Sequence, residues 1–160
     1  MLNVFRMFGK MSGRRVMMQS SGEIPLDAIL RDGVRGAPDV SALASLDRNK
    51  LCVLVWHYHD DDVPGPDAAV TLTVNGLPAA AGQARLTHYR IDTTHSNAFA
   101  AWQRLGSPPA PTPEQYAQLE KAGRLERLDA PATAPVHDSQ VTLAFTLPRQ
   151  AVSLLVLEWD

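Results

Sequence analysis

The stretch that most restricts the fold is LCVLVWHYH, Leu51 to His59. Successive side chains of a strand point to opposite faces. Here both faces are apolar as far as Trp56, so the strand has to be central and covered on both sides. Just before it, VSALASL (Val40 to Leu46) and the polar turn DRNK complete a β-hairpin. The rest of the chain must therefore supply two covering layers.

Further strand signals follow. AVTLTVNGLP (Ala69 to Pro78) alternates with period two, placing Val70, Leu72 and Val74 opposite Thr71 and Thr73, and ends in an Asn-Gly turn. QARLTHYRID (Gln83 to Asp92) alternates more weakly. VTLAFTLP (Val141 to Pro148) and AVSLLVLEW (Ala151 to Trp159) close the chain and read as a second hairpin-like pair. Five or six short strands separated by turn signals predict a mainly β chain, a β-sandwich of the immunoglobulin or fibronectin kind.

Two regions read as helical. In the N-terminal segment, Val4, Met7, Phe8 and Met11 fall at i, i+3, i+4 and i+7. The other is an insertion over 95–123. HSNAFAAWQRLG (His95 to Gly106) has Ser96 or Asn97 to cap it and Gly106 to end it. After a Pro-rich link, TPEQYAQLEKAG offers Thr112 as N-cap, Pro113 at the first helical position, Gln115 for a capping box and Gly123 as the stop.

At 160 residues the chain fits one ordinary domain with a real core. A net charge of -2 without clustered Lys and Arg argues against nucleic acid or an anionic membrane as partner. No apolar run approaches the ~18 residues of a membrane span. Arg6 and Lys10 interrupt the N-terminal apolar run, so it does not read as a signal peptide and a cytoplasmic location is favoured. Cys52, alone and inside an apolar strand, reads as a buried, inert thiol.

Ligand-capable groups are densest in WHYHDDD, Trp56 to Asp62. His57 and His59 share a strand face, a workable geometry for two metal ligands. A third and fourth are not evident, because His88, His95 and His137 are scattered. The plainer reading is a strand that leaves the core at Trp56 and turns polar at its exit. Paired-carboxylate chemistry needs two acids on a rigid frame. Asp60, Asp61, Asp62 and Asp67 instead fall in a loop, and Glu114, Glu120 and Glu126 on exposed faces. Glu158 alone sits at the end of an apolar strand. There is no Gly-x-Ser-x-Gly elbow and no phosphate loop; the HSN at His95 to Asn97 is either a polar site or a helix cap. Trp56, Tyr58, Tyr89, Trp102, Tyr116 and Trp159 could stack on sugar rings, though most alternate with core positions.

The order LNVFRMFGKM, SSGEIPLDAIL, VLVWHYHDDD, THYRIDTTHSNAFAAWQRLGSP, PTPEQYAQL and LPRQAVSLLVLEW resembles the C-terminal part of glycoside hydrolase family 39 β-xylosidases, and more distantly the α-L-iduronidases of that family. The segments Trp102 to Gly106 and Pro111 to Gln115 are its most specific part. The resemblance implies a (β/α)8 catalytic barrel followed by a β-sandwich. Residues 1–14 would then be the terminal helix of the barrel, and 15–160 the sandwich with its helical insertion. The parent would hydrolyse β-xylosides with retention, using a glutamate acid/base in an Asn-Glu-Pro motif and a glutamate nucleophile. Asn-Glu-Pro is absent here, so no residue inherits a catalytic role. No cofactor-binding or metal-ligating residue is nominated either. The expected partner is a catalytic barrel, in cis or in trans. A xylo-oligosaccharide contact, reached through the Thr93 to Pro109 segment, and a homo-oligomer contact are secondary expectations. If the N-terminal apolar stripe lacks its barrel neighbours, it favours association.

Overall fold

The computed structural model describes residues 2–78 and 82–160. Eight strands and four helices follow in chain order: α1 (Leu2–Phe8), β1 (Arg14–Val16), α2 (Leu26–Asp32), β2 (Asp39–Asp47), β3 (Lys50–Tyr58), β4 (Ala68–Asn75), β5 (Gln83–Ile91), α3 (Ala98–Arg104), α4 (Pro113–Ala122), β6 (Ala132–Pro135), β7 (Gln140–Leu147) and β8 (Val152–Glu158). Six strands form one sheet in the order β1-β2-β3-β8-β5-β6, and β4 and β7 form a two-stranded ribbon. All neighbours in both sheets are antiparallel.

The doubly apolar strand lies where its pattern requires. β3 runs between β2 and β8. On one face Leu51, Val53 and Val55 join Leu155 and Leu157 of β8 and pack against Leu72, Val141 and Leu147 of the ribbon. On the other face Cys52, Leu54, Leu154 and Val156 close around Met7 of α1. The chain is thus a mainly β sandwich, with a helix against the outer face of its larger sheet. Gly13 lets β1 run tightly along β2: its φ is +81°, and a Cβ there would overlap the Leu46 carbonyl.

Two sequence expectations are corrected. The closing strands β7 and β8 do not form a hairpin, because β7 pairs with β4 while β8 enters the large sheet between β3 and β5. Both carry inward apolar faces, so periodicity alone cannot tell pairing within a sheet from crossing between sheets. The N-terminal helix stops at Phe8, and its buried residues are Asn3 and Met7. Phe8 remains 44% exposed, and Met11 reaches the core from the segment after the helix. The helix expected within 95–106 forms over Ala98–Arg104, and the residues before it, Asp92 to Asn97, are folded into a hydrogen-bonded turn. Helix α2 and strands β1 and β6 carried no recognised signal. β1 and β6 are three and four residues long, too short for a periodic pattern.

The capping prediction for α4 holds in full. Thr112 Oγ1 accepts from the Gln115 N–H and Gln115 Oε1 accepts from the Thr112 N–H, with Pro113 at the first helical position and Gly123 as the C-cap. For α3 the cap is Asn97, whose side chain accepts from the Ala100 N–H at 3.0 Å. Ser96, at φ +55°, instead accepts the Glu126 N–H at 2.8 Å.

Candidate functional site

The histidines of WHYHDDD are not at a solvent exit. His57 is 2% exposed and His59 4%, while Tyr58 between them points outward. Trp56 is half-buried, and its Nε1–H donates to Asp39 at 2.7 Å. The cause is the cover that other segments lay over the end of β3. His57 Nδ1 lies 2.9 Å from the Leu147 carbonyl, which places the proton on Nδ1. His59 Nδ1 accepts the Asp61 N–H at 3.0 Å, so Nε2 carries the proton and donates to the Arg35 carbonyl at 3.0 Å. Gln150 closes the edge by donating to the His59 carbonyl at 2.7 Å. Asp60 accepts the Val34 N–H at 2.9 Å; that bond holds its carboxyl below the usual carboxylate range. The motif is a clasp that fixes the loop after α2 to the end of the sheet. His57 Nδ1 and both His59 ring nitrogens meet backbone groups on different segments, and His57 Nε2 is buried without a hydrogen-bond partner. No group of three or more His, Cys, Asp or Glu that could hold a metal gathers among the described residues.

A second polar cluster lies between the sheets. Arg90, 4% exposed, donates from Nε to Ser153 Oγ at 2.7 Å and from Nη2 to the Thr146 carbonyl at 2.9 Å, tying β5 to β8 and to the ribbon. Ser153 Oγ lies 2.9 Å from His88 Nε2, and the His88 ring meets Phe145 edge-on at 5.2 Å. Since Arg90 donates to Oγ, the Ser153 hydroxyl hydrogen is free to bond a bare Nε2 on a neutral imidazole. Burial first, then the Arg90 charge, pushes His88 down to about 4. Asp92 accepts from the Thr94 N–H at 2.7 Å, from Thr94 Oγ1 at 2.9 Å, and from the His95 N–H and ring. Burial raises its pKa, but these bonds outweigh it and leave the carboxyl below the usual range. The side chains of HSN therefore cap and brace. Cys52 is buried, which raises its thiol pKa and suits the inert role.

Glu158 pairs with Arg85 at 2.6 Å. Glu114 and Glu120 lie on the exposed side of α4, and Glu120 faces Arg124 at 3.8 Å. Of the aromatics nominated for sugar stacking, Tyr58 and Tyr116 are more than one-third exposed, and they stand on different elements. Sequence reasoning passed over Phe99, which is 63% exposed and stacked on Trp102 at 5.7 Å. Its signal was an aromatic i, i+3 pair inside α3.

Comparison with known proteins agrees with this architecture. Residues 1–137 match the family described as Glycosyl hydrolases family 39. Human α-L-iduronidase is 33% identical over 91 residues, covering 52% of this chain and 14% of that protein. Among solved structures, a monomeric β-xylosidase from Caulobacter crescentus CB15 superposes on 98% of this chain with a TM-score of 0.70 at 15% identity. The family 39 enzyme from Xanthomonas axonopodis pv. citri covers 78% with a TM-score of 0.64 at 22% identity. This chain spans 30% and 28% of those two structures. The fold is that of a β-sandwich found within such enzymes, and the chain belongs to glycoside hydrolase family 39.

Proposed function

We propose that this chain is the accessory β-sandwich of a family 39 glycoside hydrolase, which braces a (β/α)8 barrel in cis or in trans while the barrel carries the hydrolytic glutamates. The parent activity would be retaining hydrolysis of β-xylosides. The observation that carries the reading is the combination of a family match over residues 1–137 with a span under one-third of the xylosidase it superposes on. The carboxylates support it: Asp92 is engaged by the Thr94–His95 turn, Glu158 by Arg85 on the outer face of the large sheet, and Asp60 is spent on holding a loop. Outward-facing Leu2 and Phe5 on α1, 63% and 68% exposed, give the barrel an apolar face to cover. The pure chain incubated with a chromogenic β-xyloside is expected to release no chromophore above buffer. Turnover comparable with a complete xylosidase would refute the proposal.

The exposed Phe99, stacked on Trp102, favours a second reading: a sugar-contacting surface on the insertion. Calorimetric titration with xylo-oligosaccharides separates it from a purely bracing role, because only a binding surface gives saturable heat that a Phe99→Ala change removes.

A further inference from the structure

The outer face of the large sheet carries a pit that neither the clasp nor the inter-sheet cluster uses. At that end, Lys50 of β3 and Arg85 of β5 flank Glu158 of β8 in one row across three strands. The next row on the same face supplies a floor of Thr87 and Val156, each 8% exposed. Gly9 and Lys10, just after α1, form one wall, and Arg127 and Pro131 from the segment between α4 and β6 form the other. The pit is open to solvent on one side and has a volume of about 370 Å³.

Its charge is out of keeping with the chain. Four cations (Lys10, Lys50, Arg85 and Arg127) line it against a single carboxylate, Glu158, in a protein whose net charge is -2. Glu158 is engaged with Arg85 at 2.6 Å, and among the described residues Lys10, Lys50 and Arg127 are in no ion pair. The lysines are also held in place. Lys50 Nζ donates to the Lys10 carbonyl at 3.1 Å, and Lys10 Nζ lies 4.7 Å above the Tyr89 ring. The Arg127 backbone is bridged to Tyr89 itself. Like charges fixed around one cavity repel one another, and an anion between them relieves that cost.

We propose that this pit binds a small oxyanion, a phosphate or sulfate group carried free or as the ester of a sugar. Lys10, Lys50 and Arg127 would contact its oxygens by charge-assisted hydrogen bonds, with Arg85 held at the rim by Glu158. The site stands apart from the bracing role and does not depend on it.

The test is an NMR titration of the full chain at constant ionic strength, with inorganic phosphate, inorganic sulfate, a hexose phosphate and the neutral hexose as separate arms. Saturable shifts at Thr87, Val156 and Arg127 are expected with the anions and none with the neutral sugar. A hexose phosphate that binds tighter than free phosphate identifies the ester as the preferred form; equal binding identifies the free anion. Lys10→Gln and Arg127→Gln change exposed side chains and are expected to keep the urea midpoint. Each should weaken binding roughly tenfold, as befits loss of one charge-assisted contact, whereas Arg31→Gln on α2 should leave it unchanged. Failure of every anion to saturate, or equal weakening by Arg31→Gln, would overturn the proposal.

Discussion

Acid should weaken this fold through one histidine. His88 sits between the sheets with its ring on Phe145 and its Nε2 on the Ser153 hydroxyl, while Arg90 donates to that same oxygen. Protonation would first of all charge a largely buried ring, and would also place a second cation beside Arg90 and leave the Ser153 oxygen facing two donors. The folded chain therefore resists it down to about pH 4. The unfolded chain, with an ordinary imidazole, takes the proton near pH ~6.5. Between those values the unfolded state binds more protons, so stability is fully present above ~6.5 and is lost as pH falls towards about 4. At 1.36 kcal/mol for each pH unit separating the two states, the gap gives at most ~3 kcal/mol. The ring keeps some solvent contact, so about 1–2 kcal/mol survives screening. Urea unfolding at pH 7 and pH 4.5 measures the loss. His88→Gln retains an acceptor for Ser153 without the titrating ring, and its acid loss should be smaller by that amount. A variant whose stability falls with pH just as the parent's does, or an NMR titration placing His88 near the ordinary histidine value, would refute the reasoning.

The remaining predictions concern packing and capping. Met7 is fully buried against Cys52, Leu54 and Leu154, so Met7→Ala should cost about 2–5 kcal/mol in a urea melt and loosen α1. Thr112→Ala removes one half of an exposed capping box and should cost about 1 kcal/mol, with faster amide exchange confined to the first turn of α4.

Periodicity of apolar residues and turn chemistry made most of the architecture legible. LCVLVWHYH announced a central strand because no other arrangement hides both its faces. TPEQ announced the start of α4 because its four residues satisfy one another locally. The pairing of β7 was not legible, since its partner β4 lies far away in sequence and an inward Val or Leu looks the same beside any neighbour. The burial of His57 and His59 was hidden for the same reason. Their partners are the carbonyls of Leu147 and Arg35, and a backbone carbonyl leaves no mark in a sequence. The oxyanion pit was scattered over Lys10, Lys50, Arg85 and Arg127, which touch one cavity only once the large sheet has assembled.

Asn3 carries a consequence for how motion crosses the molecule. Its Nδ2 donates to the Ser96 carbonyl at 2.6 Å and to the Gly123 carbonyl at 3.1 Å, and Arg6 donates to that same Gly123 carbonyl at 2.8 Å. One side chain of α1 thus grips both ends of the insertion, at the turn where it leaves the sheet and at the cap where α4 stops. A change that tilts α1 is expected to strain these bonds, and with them the segments that carry Phe99 and Tyr116. The N-terminal helix and the insertion are thus tied together through the side chains of Asn3 and Arg6.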